Sequence, residues 1–171
     1  DYKLLAIYAI GILIPMKIKD QLKLVVNIMI QSWAKNGDKV YQTQLKKFHN
    51  LTFLLTFVLA FFVAYSSPFY ISILFTEEYL NSQSVIWIIS FSIPFVLSAF
   101  AHETFIVVFH NTIFYQKVTY SKQFVYLVAL AILAQDFGVM GIAFSILIRS
   151  IYDFFINYIY YHKYKNKQVS A

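Results

Sequence analysis

The sequence predicts an all-α, polytopic bundle of transmembrane helices. Hydrophobic residues make up 60% of the chain and charged residues only 13%, whereas a soluble domain is nearer half apolar and a quarter charged. The apolar residues come in long blocks, and those at 51–75, 85–110 and 139–161 exceed the ~20 residues that a helix needs to cross a bilayer. Continuous blocks of this length favour helices over the alternating strands of a membrane barrel.

Charge and residue usage exclude several classes of function. The formal charge is +6, but the lysines lie mostly between apolar blocks, which is typical of the cytoplasmic rim of a membrane protein. We therefore expect a lipid bilayer as the surroundings and no nucleic acid as a partner. Without cysteine there is no disulfide or thiol chemistry. No metal-ligand spacing, activated nucleophile or phosphate-binding glycine loop is present, so we predict no enzyme, metal or cofactor. The chain opens on Asp1 and not on Met, and we expect it to be a fragment.

The connections between the blocks alternate in charge. Residues 35–50, 110–122 and 160–168 are basic, whereas 66–84 and 134–141 contain acidic residues and no lysine. Because short cytoplasmic loops carry excess Lys and Arg, we predict a single domain over 1–171 with a cytoplasmic C-terminus. The predicted spans are about 4–34, 51–74, 85–109, 118–135 and 139–161. Lys122 would then extend its side chain to the inner surface, and Gly138 would form a tight outer turn.

The charged stretch PMKIKDQLK, residues 15–23, interrupts the first apolar block. A loop here would break the charge alternation, and residues 24–34 are too few to cross alone. The simplest prediction is one long helix over 4–34. At about 100° per residue, its polar side chains form a stripe that would face a lumen: Lys17, Asp20, Lys23, Asn27 and Gln31. A truncated span followed by an amphipathic helix on the membrane surface also satisfies the alternation.

Other ionisable residues lie at membrane depth, where burial is costly and a functional role is the default hypothesis. Arg149 and Asp153 share a helix face at i, i+4 spacing. They are either a self-neutralising structural pair, or Asp153 holds the Arg149 guanidinium toward a phosphate or acidic sugar. His102 and Glu103 either carry a coupling proton or lie near the inner interface without a role.

Several ordered motifs resemble one family of transporters. IYAIGILIP (7–15) followed by NIMIQSWAKNGD (27–38), ILFTEEYLNSQSVIWIIS (73–90) and FGVMGIAFSILI (137–148) are similar, in order and spacing, to segments of Wzx-type flippases for lipid-linked oligosaccharides. These flippases belong to the multidrug/oligosaccharidyl-lipid/polysaccharide exporter superfamily. Thr76 stands where the family often has glycine, and Ile142–Ala143 replaces its usual double alanine.

The resemblance implies the last five helices of the second lobe of a MATE-like flippase fold in the bacterial inner membrane. It implies alternating-access transport of an undecaprenyl-pyrophosphate-linked oligosaccharide for surface polysaccharide such as O-antigen or capsule, beside polymerase or assembly proteins. From chemistry and depth, the candidate cationic lumen residues are Lys17, Lys19, Lys23, Asn27 and Arg149. The candidate coupling residues are Asp20, His102, Glu103 and Asp153. The alternatives are a multidrug or cation antiporter of the same fold and a non-transporting scaffold of a glycan assembly complex.

Overall fold

The computed structural model describes residues 2–109 and 112–168. Within these residues the chain is helical and contains no strand. The elements are α1 (Tyr2–Lys35), α2 (Asp38–Tyr65), α3 (Ser67–Leu74), a 3₁₀ turn (Glu77–Ser82), α4 (Gln83–Phe109) and α5 (Thr112–Gln168). The predicted all-α class is therefore confirmed. Residues 110 and 111, at the start of the predicted basic connection 110–122, lie outside the described residues, as does Asp1.

The charged stretch 15–23 lies inside α1 and not in a loop. The helix is continuous through Pro15, which is buried. Proline at this position removes the hydrogen bond to the carbonyl of Gly11. Gly11 itself lies against α4, where an added Cβ would stand 2.6 Å from Val85 Cβ. The lack of a side chain at Gly11 thus lets α1 approach α4 closely on the N-terminal side of the charged stretch.

Gly138 divides α5 into two arms, which we call the N-arm (112–137) and the C-arm (139–168). Its φ of 55° and ψ of −127° belong to the left-handed side of the backbone map, which glycine adopts without steric cost. The two arms run back along each other, since Lys122 contacts Asp153 across 31 residues. A Cβ at Gly141 would overlap the carbonyl oxygen of Leu133. The predicted tight turn at Gly138 is present, and Gly141 lets the arms close just beyond it.

The middle of the bundle is α4, which packs against α1, α2 and the arms of α5. Its side chains Ile93, Leu97 and Phe105 are almost completely buried. At one end, the hydroxyl of Tyr41 in α2 donates to the carbonyl of Ala101 in α4 at 3.1 Å. This bond and the apolar contacts around it fix α2 against α4.

The predicted outer connection 66–84 is ordered by α3 and the 3₁₀ turn. Pro68 lies in the first turn of α3, a position where a missing N–H costs nothing. The hydroxyl of Tyr70 donates to the carbonyl of Val63 at 3.3 Å, and burial raises the pKa of Tyr70 to about 12. The phenol therefore stays protonated and keeps α3 folded back on the end of α2.

Three helical stretches among the described residues are long and apolar enough to cross a membrane: Val40–Tyr65, Glu77–Val107 and Tyr115–Lys163. They indicate a membrane protein. The third stretch has 49 residues and contains both arms of α5. The charged residues of α1 keep that helix out of this group, so the count of five spans stays a prediction.

Candidate binding cavity

A cavity of about 340 Å³ lies between α1, α4 and the two arms of α5. Its charged lining comprises four cationic and two acidic side chains, a formal charge of +2 (4 − 2): Lys19, Lys23, Lys122, Arg149, Glu103 and Asp153. Five of these six are candidates from the sequence, drawn from three separate segments. The remaining lining is apolar or small, with Pro15, Ile93 and Ser150 among it. The fold thus brings cations from α1 and both arms of α5 together at one point.

Lys122 of the N-arm forms ion pairs with α4 and with the C-arm of α5. Its Nζ lies 3.0 Å from Glu103 Oε1 and 3.3 Å from Asp153 Oδ1, and the residue is only 7% exposed. Asp153 Oδ1 also accepts from Asn157 Nδ2 at 2.9 Å. Lys122 therefore turns into the bundle, and its predicted extension to the inner surface finds no support in this geometry. Two partly buried carboxylates, with side chains 14% exposed, hold the ammonium, since a carboxylate removed from water without a partner is costly.

Arg149 and Lys23 lie over aromatic rings. The guanidinium carbon of Arg149 lies 5.6 Å from the ring centroid of Tyr126, and Lys23 Nζ lies 5.3 Å from that of Phe100. Both are cation–π distances. Asp153 pairs with Lys122, so the expected pairing of Asp153 with Arg149 is not the contact that forms. Among the described residues no salt bridge engages Arg149 or Lys23, and both cations face the cavity.

Lys19 has weaker partners at the edge of the cavity. Its Nζ lies 3.7 Å from Asp20 Oδ1, and the Asp20 side chain is 62% exposed. A pair this exposed contributes little to stability. Lys19 Nζ also lies 2.8 Å from the thioether sulfur of Met16. Lys19 can therefore turn toward a bound anion at small cost.

The predicted polar stripe of α1 does not coincide with the face that packs. Lys19, Lys23, Val26 and Ile30 face the bundle, and at 3.6 residues per turn their direction lies about 90° from the centre of the stripe. The structure leaves Lys17 and Asp20 exposed and places Asn27 outside the cavity lining. The lumen roles assigned to these three residues find no support in this geometry. Apolar packing against α4, and not the polar stripe, sets the rotation of α1.

His102 and Glu103 point to different sites. Glu103 binds Lys122, whereas the 2% exposed His102 packs edge-on against His49, with ring centroids 5.1 Å apart. His102 Nδ1 lies 2.7 Å from the carbonyl oxygen of Ser98, so this nitrogen carries the proton. His102 lines a second pocket, with Lys46 and His162 among its neighbours. The two candidate coupling residues therefore lie at different sites, because consecutive helical residues point about 100° apart.

No cluster of histidine, aspartate, glutamate or cysteine in 2–109 and 112–168 has an arrangement that could hold a metal ion. The two carboxylates of the cavity are instead occupied by Lys122. The arrangement can bind an anion through Lys19, Lys23 and Arg149. A bound anion can also replace Glu103 or Asp153 as the partner of Lys122.

Lys122 is the site residue that sequence reasoning missed. The usable signal was the turn at Gly138. Two antiparallel arms bring residues at similar distances from the turn together, and Lys122 and Asp153 lie at nearly equal distances from Gly138. The hairpin therefore predicts this ion pair once both arms are taken as helices.

Comparisons with family models, with curated proteins and with solved structures found no match to this chain.

Proposed function

We propose that this chain forms part of an alternating-access flippase for an undecaprenyl-pyrophosphate-linked oligosaccharide in the bacterial inner membrane. The observation that carries the proposal is the cavity with a formal charge of +2 inside a bundle of apolar helices. Charged residues at membrane depth mark substrate and ion pathways. A pyrophosphate matches this lining because it needs several cationic donors converging from different helices.

Arg149, Lys23 and Lys19 are the proposed first contacts of the pyrophosphate. Arg149 offers a planar, bidentate donor set, and the two lysines add point charges. The rings of Tyr126 and Phe100 hold Arg149 and Lys23 without neutralising them. An arriving phosphate therefore does not have to displace a carboxylate from either cation.

Lys122 is the proposed link between binding and movement. It joins Glu103 of α4 to Asp153 of the C-arm, so a phosphate that attracts Lys122 weakens the connection between these helices. Glu103 or Asp153 would then be free to accept a proton. Exchange of Lys122 between carboxylates and phosphate thus couples the cargo to helix movement.

Complementation of a flippase-null bacterial strain by the protein that carries this chain tests the activity. We expect Lys23→Gln with Arg149→Gln to abolish surface glycan, since the two cavity cations that lie over aromatic rings and are available to the phosphate are lost. Lys17→Gln, on the exposed side of α1, is the matched control and should leave surface glycan unchanged. Normal export by the double variant at normal protein level would refute the proposal.

Two alternatives make different predictions. A multidrug or cation antiporter of the same fold requires a cavity that attracts cations, and the +2 lining opposes this. A non-transporting scaffold beside a polysaccharide polymerase is favoured by one observation, the internally paired Lys122 with Glu103 and Asp153. A scaffold predicts that Lys23 and Arg149 contact protein and exclude water, whereas a flippase predicts that water reaches them from at least one side.

A further inference from the structure

A long apolar groove of about 460 Å³ runs between α1 and α2, and Leu97 of α4 forms part of its floor. The lining side chains from α1 include Leu22, Val25, Met29 and Trp33, and those from α2 include Leu51, Leu55 and Leu59. Leu55 and Val25 are each more than half exposed. The groove is therefore open along its length and is apolar over most of it.

The groove has the depth of one bilayer leaflet. On α2 its lining extends from Gln44 to Leu59, which is about 22 Å at 1.5 Å per residue. One leaflet contributes about 15 Å of hydrocarbon, half of the ~30 Å core, and the polar headgroup region lies beyond it. Because Gln44 lies near the start of the candidate span Val40–Tyr65, the groove leads from one membrane surface into the bilayer.

The charged and amide side chains of the groove lie at one end, and the only other polar side chains among its described lining residues are the hydroxyls of Thr52 and Thr56. Gln44 and Lys47 lie there with Trp33, and tryptophan is enriched at the membrane–water interface. The Trp33 ring is held edge-on by Phe48 at 5.2 Å and by Tyr41 at 5.9 Å. The neighbouring Lys46 lines the second pocket, the one that contains His102 and His162, on another side of α2. Lys47 therefore supplies a positive charge beside an apolar slot, at the depth of a lipid headgroup.

The groove is separate from the charged cavity. No residue in the described part of the chain lines both of them, and Leu97 and Val26 of the groove are almost fully buried. From Trp33 back to Lys23 and Lys19 along α1 is about 15 to 21 Å. A phosphate held at Lys47 therefore cannot also contact the cations of the cavity, and the inference does not depend on the proposed transport function.

We propose that this groove is a binding site for one anionic glycerophospholipid of the surrounding bilayer. Its phosphate lies at Lys47 and Gln44, and one acyl chain lies along Met29 and Leu55 toward Leu59. The charge of Lys47 selects an anionic headgroup, and the apolar lining accepts any acyl chain of leaflet length.

Fluorescence quenching in reconstituted vesicles tests this site. The chain has two tryptophans, so Trp87→Phe leaves Trp33 as the reporter within this chain. The probe is phosphatidylglycerol brominated at carbons 6 and 7, titrated into unlabelled phosphatidylcholine. We expect half-maximal quenching at a mole fraction about fivefold lower than with brominated phosphatidylcholine, the preference that one lysine near a membrane surface provides.

Two matched pairs of variants locate the lipid. Lys47→Gln should remove the preference for phosphatidylglycerol, whereas Lys46→Gln should retain it. Leu55→Phe should fill the slot and weaken quenching by both lipids, whereas Leu54→Phe, on the neighbouring exposed position outside the groove, should not.

Equal quenching by both brominated lipids in the parent protein would mean ordinary contact with the lipid shell and would overturn the proposal. The absence of quenching by either lipid would mean that protein covers the groove, which overturns it as well. Loss of the preference in both lysine variants would also contradict the site, because it would reflect the net charge alone.

Discussion

The charged cavity and the apolar groove both border α1 and α4, yet they accommodate opposite chemistry. Except for Lys19, which contacts Asp20 and Met16 at the edge, the charged side chains of the cavity are paired with one another or lie over aromatic rings, and three of its cations remain available to an anion. The groove has one charged residue, Lys47, at its end. The difference follows from depth: a charge in the bundle interior needs a partner, whereas a charge at the headgroup level is solvated.

The largest expected effect comes from removing the central cation of the cavity. Lys122→Met leaves the partly buried Glu103 and Asp153 beside each other without Lys122, which should lower the free energy of unfolding by up to about 3–5 kcal/mol. Denaturant unfolding in detergent micelles measures this. Lys117→Met, an exposed lysine on the same arm, should change it by about 0.5 kcal/mol or less.

Adding Glu103→Gln and Asp153→Asn to Lys122→Met should recover most of that loss, because no unpaired charge is then buried. Equal effects of Lys122→Met and Lys117→Met would show that the ion pairs do not hold the cavity together.

Anion binding separates the cavity from the predicted stripe on α1. Arg149→Gln should weaken binding of inorganic pyrophosphate to the purified protein by roughly 10–100-fold, since a hydrogen bond to a charged group contributes about 1.5–3 kcal/mol. Lys17→Gln should have little effect, because Lys17 is exposed outside the cavity. Titration calorimetry measures both, and a larger loss for Lys17→Gln would restore the stripe as the binding face.

The helices and the Gly138 turn could be predicted from the sequence because both depend on local signals. Long apolar blocks form helices, and a glycine between two such blocks forms the turn. Five of the six charged cavity residues could also be predicted, since charge at membrane depth is visible in the sequence. The sequence did not predict which face of α1 packs against the bundle. Close packing at Gly11, Val26 and Ile30 determines that face, and the positions of the polar residues do not. Lys122 was missed because its partners lie in α4 and in the other arm of α5, far from it in the sequence.

Disturbing the close packing of the two arms of α5 should have an intermediate effect on stability. Gly141→Ala places a Cβ against the carbonyl of Leu133, and overpacking of this kind costs about 1–3 kcal/mol. The arms would separate near the turn and strain the Lys122–Asp153 contact. Thermal unfolding measures the loss. Gln135→Ala, an exposed residue near the same turn, is the control, and equal melting temperatures for both variants would contradict the close packing of the arms.

The smallest expected effect on stability lies in the groove. Lys47→Gln removes an exposed charge, so the free energy of unfolding in micelles should change by about 0.5 kcal/mol or less. The same variant should lose its preference for an anionic lipid. A loss of stability comparable with that of Lys122→Met would mean that Lys47 has a structural role.

Thiol labelling tests the central claim that the cavity is an aqueous, cationic site. The chain contains no cysteine, so single-cysteine variants have no background from this part of the protein. We predict that Lys23→Cys and Arg149→Cys react with a charged, membrane-impermeant methanethiosulfonate added from one side of the membrane. Met29→Cys in the groove should react only with a membrane-permeant maleimide. Failure of both cavity variants to react with the charged reagent from either side, in folded protein, would contradict the account.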